Sequence, residues 1–122
     1  MLLDSNILIY AANESAPELE ALVTADDSAV ASVTAIEVYG FPSLKPEEKT
    51  ALDVLFHRLT VHPLDSAVVN RAIELRQQSR MGLADAIIAA TALVHDVPLV
   101  TRNVDDFKHL AGLRIINPFD AR

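Results

Sequence analysis

Leu2-Leu3-Asp4-Ser5-Asn6-Ile7-Leu8-Ile9-Tyr10-Ala11-Ala12 sets the reading of the whole chain. Met1–Asp4 has the look of a short buried strand, and Ser5–Ala12 reads as the helix that follows it. Asp4 stands at the junction, where Asp is a favoured helix N-cap. The same alternation recurs outward from there. Ala16–Ala25 continues helically, with Leu19, Leu22 and Val23 at helical spacing. Asp26-Asp27-Ser28 marks a turn, and Ala29–Val33 suits a second strand. Thr34 opens a short helix through Tyr39, which Gly40 and Pro42 end.

Pro46 fits the first turn of a helix whose apolar face is Leu52, Leu55, Phe56 and Leu59. Thr60–His62 reads as a small strand. Asp65 caps a helix reaching about Arg80, with Val68, Val69, Ala72, Ile73 and Leu75 as its apolar side. Gly82 breaks the chain, and Leu83–His95 is apolar nearly all round, the mark of a buried helix. Pro98–Thr101 and Arg114–Ile116 complete the strands. Strands alternating with helices predict an α/β fold, a parallel sheet covered on both faces. Ligands of such folds sit outside the carboxyl ends of the strands.

Composition narrows the function. The chain has 122 residues, the size of one domain, and 1–122 reads without repeat or linker. Its formal net charge is −7, against a generic basic nucleic-acid binder. It has no cysteine, which excludes disulfides, thiolate metal sites and a cysteine nucleophile, and fits a reducing compartment. The longest apolar run, Ala86–Val94, is too short to span a bilayer, and Asp4 interrupts any signal-like start. A cytoplasmic protein with no membrane contact is expected. The four histidines, His57, His62, His95 and His109, show no ligand spacing and read as surface or helix-end residues.

The acids that follow strands are the candidates for chemistry. Asp4 follows the first strand. Glu37 follows the second, within Thr34-Ala35-Ile36-Glu37, which also fits a capping box. Asp85 opens the buried helix, where the dipole favours a carboxylate but apolar neighbours oppose it. Asn103, Asp105 and Asp106 follow the strand ending at Thr101, and Asn103 also suits a helix cap. Each acid has a plain structural use. Converging in one cleft, they would repel one another and raise their pKa values. A hard divalent cation, Mg²⁺ or Mn²⁺, removes that conflict and brings phosphoryl chemistry with it. A modest rim of Arg76, Arg80, Arg102 and Lys108 would let an acidic protein hold an RNA strand.

Leu2-Leu3-Asp4-Ser5-Asn6-Ile7-Leu8, Glu37 in a short helix, Asp85-Ala86-Ile87-Ile88-Ala89-Ala90-Thr91-Ala92, and Leu99-Val100-Thr101-Arg102-Asn103 through Asp106-Phe107 occur in that order. The set resembles the PIN-domain ribonucleases, above all the VapC toxins of toxin–antitoxin pairs, over nearly the whole chain to Ile115-Ile116-Asn117-Pro118. The resemblance implies a three-layer α/β/α sandwich around a parallel sheet and Mg²⁺- or Mn²⁺-dependent hydrolysis of RNA. It implies Asp4, Glu37 and Asp85 as core acids and metal ligands, with a fourth metal position at Asn103 or Asp106. Ser5 and Thr101 would orient ligands, and Asn6 would pin the loop after the first strand. A homodimer and a VapB-type antitoxin that blocks the site are implied as well.

Two alternatives come from other classes. A catalytically silent PIN-like module would bind RNA or a partner without cleaving, although Asp4, Glu37 and Asp85 are all retained. A receiver-like signalling domain also has an acidic Mg²⁺ pocket, but needs a lysine after a late strand. The late strands here are followed by Arg102-Asn103 and Asn117-Pro118.

Overall fold

Alternating burial along the strands builds two cores from one sheet. Leu2 and Leu3 are both fully buried, yet their side chains enter different hydrophobic clusters, as the two-residue repeat of a strand requires. The computed structural model describes residues 1–13 and 16–119. Its strands are β1 (Leu2–Leu3), β2 (Ala29–Ala31), β3 (Thr60–His62), β4 (Leu99–Val100) and β5 (Ile115–Ile116). They form one sheet in the order β3-β2-β1-β4-β5, and every pairing is parallel. Leu2 lies opposite Ala29 and Leu99, Ala31 opposite His62, and Val100 opposite Ile116.

Helices cover both faces. On one side, α5 (Ser66–Gln78) and α6 (Leu83–Val94) pack on Leu2, Ala29, Ala31 and Leu99. On the other, α1 (Ser5–Ala12), α2 (Glu20–Val23), α3 (Ser32–Tyr39) and α4 (Pro46–Arg58) enclose Leu3, Val30 and Val100. This is the expected three-layer sandwich. Ala86 through Ala92 are buried without interruption, so α6 is the central helix of its layer. Asp65 caps α5 as its sequence predicts, accepting from the Val68 N–H at 3.0 Å. Pro46 is the first residue of α4. Gly40 ends α3 at a close approach: a Cβ there would lie 2.5 Å from the Ile36 carbonyl oxygen. Among the described residues no helix is long and apolar enough to cross a membrane.

Several expectations need correction. The second strand stops at Ala31, and α3 begins at Ser32 with Ala31 as its N-cap and no side-chain cap. Thr34 therefore lies within the helix, fully buried, and the capping box with Glu37 does not form. Val33, expected to end that strand, is β-branched, and packing overrides its strand preference. Ala16–Ala25 divides into a 3-10 turn at Pro17–Leu19 and the single turn of α2. On α5, Val68, Ala72 and Leu75 are buried, but Val69 and Ile73 stay exposed, Ile73 by 51%. That layer needs only one stripe of the helix. His62 and His95 stack with ring centroids 3.7 Å apart. Burial first, then His95, lowers the pKa of His62.

Candidate active site

The strand order switches sides at β1, with β2 and β3 added to one side and β4 and β5 to the other, and at such a point an open parallel sheet leaves a crevice beyond the carboxyl ends of its strands. Asp4 leaves β1 there and Thr101 leaves β4. The backbones meet through Asp4 N–H, which donates to the Val100 carbonyl at 2.9 Å. Asp4 is 5% exposed and its carboxylate is held on every side. Oδ1 accepts from the Ser5 N–H at 2.8 Å, so Asp4 is indeed the N-cap of α1. Oδ2 accepts from the Thr101 hydroxyl at 2.7 Å and from the Asn6 amide at 3.0 Å. Burial pushes the Asp4 carboxyl above the ordinary range. The bonds from Thr101, Ser5 and Asn6 oppose that, while the charge of Glu37 adds to it.

The neighbours of Asp4 are themselves fixed. Thr101 Oγ1 accepts from the Asn103 N–H at 3.0 Å. Asn6 Oδ1 accepts from the Arg102 N–H at 3.4 Å, so Asn6 links the loop after β1 to the loop after β4. Glu37 reaches the same place from α3. The Ser5 hydroxyl donates to Glu37 Oε1, and the Thr34 hydroxyl lies 3.3 Å from Ser5 Oγ. Glu37 thus reaches across to the start of α1 instead of back to its own helix end.

Asp85 enters from the other layer, in the first turn of α6. No hydrogen bond or ion pair reaches its side chain among the described residues. Its pKa is pushed up to about 6, first by burial, then by the charges of Asp4, Asp106 and Glu37. The helix dipole favours the ionised form, but desolvation and three like charges prevail. Acids from three other segments are therefore near enough to act on Asp85.

Asp106 belongs to the group, whereas Asp105 turns away and pairs with Lys108 at 2.9 Å. The two lie in a 3-10 turn, Val104–Asp106, which the fully buried Phe107 anchors. Asn103 precedes that turn but its side chain makes no capping bond, contrary to the cap expected of it. Of the basic rim, Arg76 sits in the last turn of α5, donating to the Met81 carbonyl at 3.3 Å. Arg80 lies in the segment leading to Asp85. Arg102 stands beside Thr101, and Lys108 is occupied by Asp105.

The donors offered are all hard oxygens, from Asp4, Glu37, Asp85, Asp106 and the Asn103 amide. Among the described residues no three acidic or imidazole side chains close into a ready-made metal cage. Mg²⁺ does not require one, because it keeps several waters and binds through one or two carboxylates plus substrate phosphate. The residues fit such an ion. An apolar groove of 570 Å³ lies elsewhere, between α1, α2 and α4, lined by Ala11, Pro17, Val23, Val54 and Leu55 among others.

Comparison with known proteins gives a consistent result. Residues 1–113 match the PIN domain family. The chain is 29% identical to Ribonuclease VapC2 of Rickettsia felis, over 95% of this chain and 96% of that protein. Among solved structures, it is similar to a VapBC2 structure from Rickettsia felis bound to a promoter DNA fragment. The TM-score is 0.80 at 27% identity, with 95% of this chain and 96% of that one covered. It is also similar to a toxin–antitoxin complex from Klebsiella pneumoniae, with a TM-score of 0.79, 28% identity and 96% coverage of each chain.

Proposed function

Since this chain belongs to the PIN domain family, we propose that it is a Mg²⁺- or Mn²⁺-dependent endoribonuclease acting as the VapC-type toxin of a toxin–antitoxin pair. The observation that carries this reading is the convergence of Asp4, Glu37 and Asp106 on Asp85, which burial first and then those three charges push up to about 6. A cation and a phosphate completing the site would relieve the repulsion. The likeness to Ribonuclease VapC2 supports RNA as the substrate.

When bound, the cation supplies charge stabilisation at the phosphoryl group and makes water more acidic. The residues of the chain do the rest. Asp4 and Asp85 would hold the cation, with Asp106 or Asn103 as a further ligand. Thr101 and Asn6 fix the direction of Asp4 Oδ2. Ser5 engages Glu37 Oε1, leaving Oε2 to take a proton from the attacking water. That water adds to phosphorus as the bond to the leaving ribose oxygen breaks, and the leaving oxygen takes a proton from bulk water. Arg76, Arg80 and Arg102 hold the strand, and Lys108 joins them only by giving up its exposed pair with Asp105.

The likeness to toxin–antitoxin complexes supports a VapB-type antitoxin as partner. An apolar segment of that partner suits the groove between α1, α2 and α4, while an arginine from it pairs with the acids. A homodimer and a cytoplasmic location belong to the same reading. The test is cleavage of single-stranded RNA with Mg²⁺, with Mn²⁺ and with excess chelator, beside an Asp4→Asn control. Cleavage with either ion and none with chelator or the variant is expected. Full activity in chelator overturns the hydrolytic site.

A further inference from the structure

Three adjoining segments meet around Arg102, which lines one cavity of about 500 Å³ together with Asn103, Asp106 and Asn117. Arg102 follows Thr101, and alternation of an extended chain sends successive side chains to opposite faces. Thr101 turns to Asp4, whereas the Arg102 guanidinium lies over the Tyr10 ring at 5.2 Å and the Phe119 ring at 4.9 Å. Those two rings meet edge to face with centroids 5.7 Å apart. Tyr10 comes from α1. Phe119 comes from the segment after β5, and its N–H donates to Asn117 Oδ1 at 3.0 Å, an Asx turn that fixes the ring's approach. Strand pairing brings the ends together, since Thr101 N–H donates to the Ile116 carbonyl at 3.0 Å.

The side chain is exposed, and among the described residues it forms no ion pair, although the chain carries a net charge of −7. Stacking on aromatic rings holds a guanidinium by its face and leaves its in-plane N–H fork free for an oxyanion. A guanidinium oriented in advance loses less freedom when it binds. Lys108, by contrast, is already taken by Asp105.

We infer that Arg102, held between Tyr10 and Phe119, grips an RNA phosphate next to the scissile one, and that the two rings are positioning residues for that grip. The inference rests on the ribonuclease reading and deepens it.

The experiment uses the full chain and a short randomised single-stranded RNA. Cleavage is measured with Mn²⁺, and affinity in chelator across a salt series. Arg102→Met, at an exposed position, should raise KM about tenfold, the scale of one charge-assisted bond, with kcat within about twofold. Its salt slope should fall by about 0.7, the value of one phosphate contact to a single strand. Arg102→Lys should keep the slope but recover only part of KM, because the flat fork is lost. Tyr10→Leu with Phe119→Leu should raise KM while keeping the slope, and Tyr10→Phe should restore the wild-type KM. Unchanged KM and slope in Arg102→Met overturn the inference, as does a fall in kcat alone. So does a loss confined to co-purification of a protein partner, which would make Arg102 a protein contact. If the wild-type chain cleaves no RNA, the ribonuclease reading fails by itself, and the salt slopes still decide for or against Arg102.

Discussion

Asp4 and Asp85 bring the same charge to one crevice from opposite layers, and the protein treats them differently. Asp4 is buried, caps α1 and receives three hydrogen bonds, from Ser5, Asn6 and Thr101. Asp85 receives none among the described residues and has its pKa raised to about 6 by burial and by its neighbours. Asp4 thus serves the fold and the site together. Asp85 carries an unrelieved charge conflict that a bound cation, as proposed, would remove. The contrast separates a carboxylate that structure would keep anyway from one that structure alone would discard.

Activity shows the largest effect and should not distinguish the two. Asp4→Asn and Asp85→Asn are each expected to lower RNA cleavage by about a hundredfold or more, because each would remove a charged ligand of the proposed cation. Single-turnover cleavage with saturating Mn²⁺ checks this. Near-normal cleavage by Asp85→Asn would confine that residue to structure.

Thr101→Val sharpens the comparison, since it keeps the shape and removes a hydroxyl that only Asp4 uses among the described acids. We expect activity to fall roughly 10- to 100-fold, the usual cost of losing a ligand's supporting bond. Higher Mn²⁺ should restore part of it. A metal titration that shows no rescue would place Thr101 in backbone support instead.

Stability should split the pair. Asp4→Ala loses a helix cap and leaves buried donors unmatched, so about 2 kcal/mol of destabilisation is expected. Asp85→Asn should stabilise the metal-free protein by about 1 kcal/mol at pH 7.5, allowing for solvent screening. The sign follows from linkage. The folded pKa of Asp85 lies above the model value of 3.8, so between about pH 4 and 6 the folded state binds more protons than the unfolded one. Its penalty is therefore complete above about pH 6 and disappears as pH falls toward 4. Urea melts of wild type and variant across that window should converge at the acid end. Divergence there would assign the shift to another group.

The smallest difference lies in the loop after β4. Asp106→Asn should weaken activity a few-fold through metal affinity, and Asp105→Asn hardly at all, because an exposed ion pair such as Asp105–Lys108 is worth little. Asn103→Asp should tighten metal binding. Titrating Mn²⁺ into the three variants checks the register, and a damaging Asp105→Asn would reverse it.

The sequence alone determined the layers and most of the acids. Leu2-Leu3-Asp4, the uninterrupted apolar run of α6, and the strand–helix alternation fix a parallel sheet between helices. Hydrophobic period is a local property, and solvent exclusion acts on it directly. The acids could be marked as candidates because each follows a strand or opens the buried helix. Tertiary structure decided what each one does. Glu37 looked like half of a capping box, but helix entry at Ser32 moved Thr34 inward and gave Glu37 to Ser5. Asp105 and Asp106 are adjacent and alike in sequence, and only the turn anchored by Phe107 separates their surroundings. Nothing local linked Tyr10, Arg102 and Phe119, which three neighbouring strand ends bring into contact. Charge and hydrogen-bond partners are set by distances across the sheet, and those distances exist only once β1, β4 and β5 have paired.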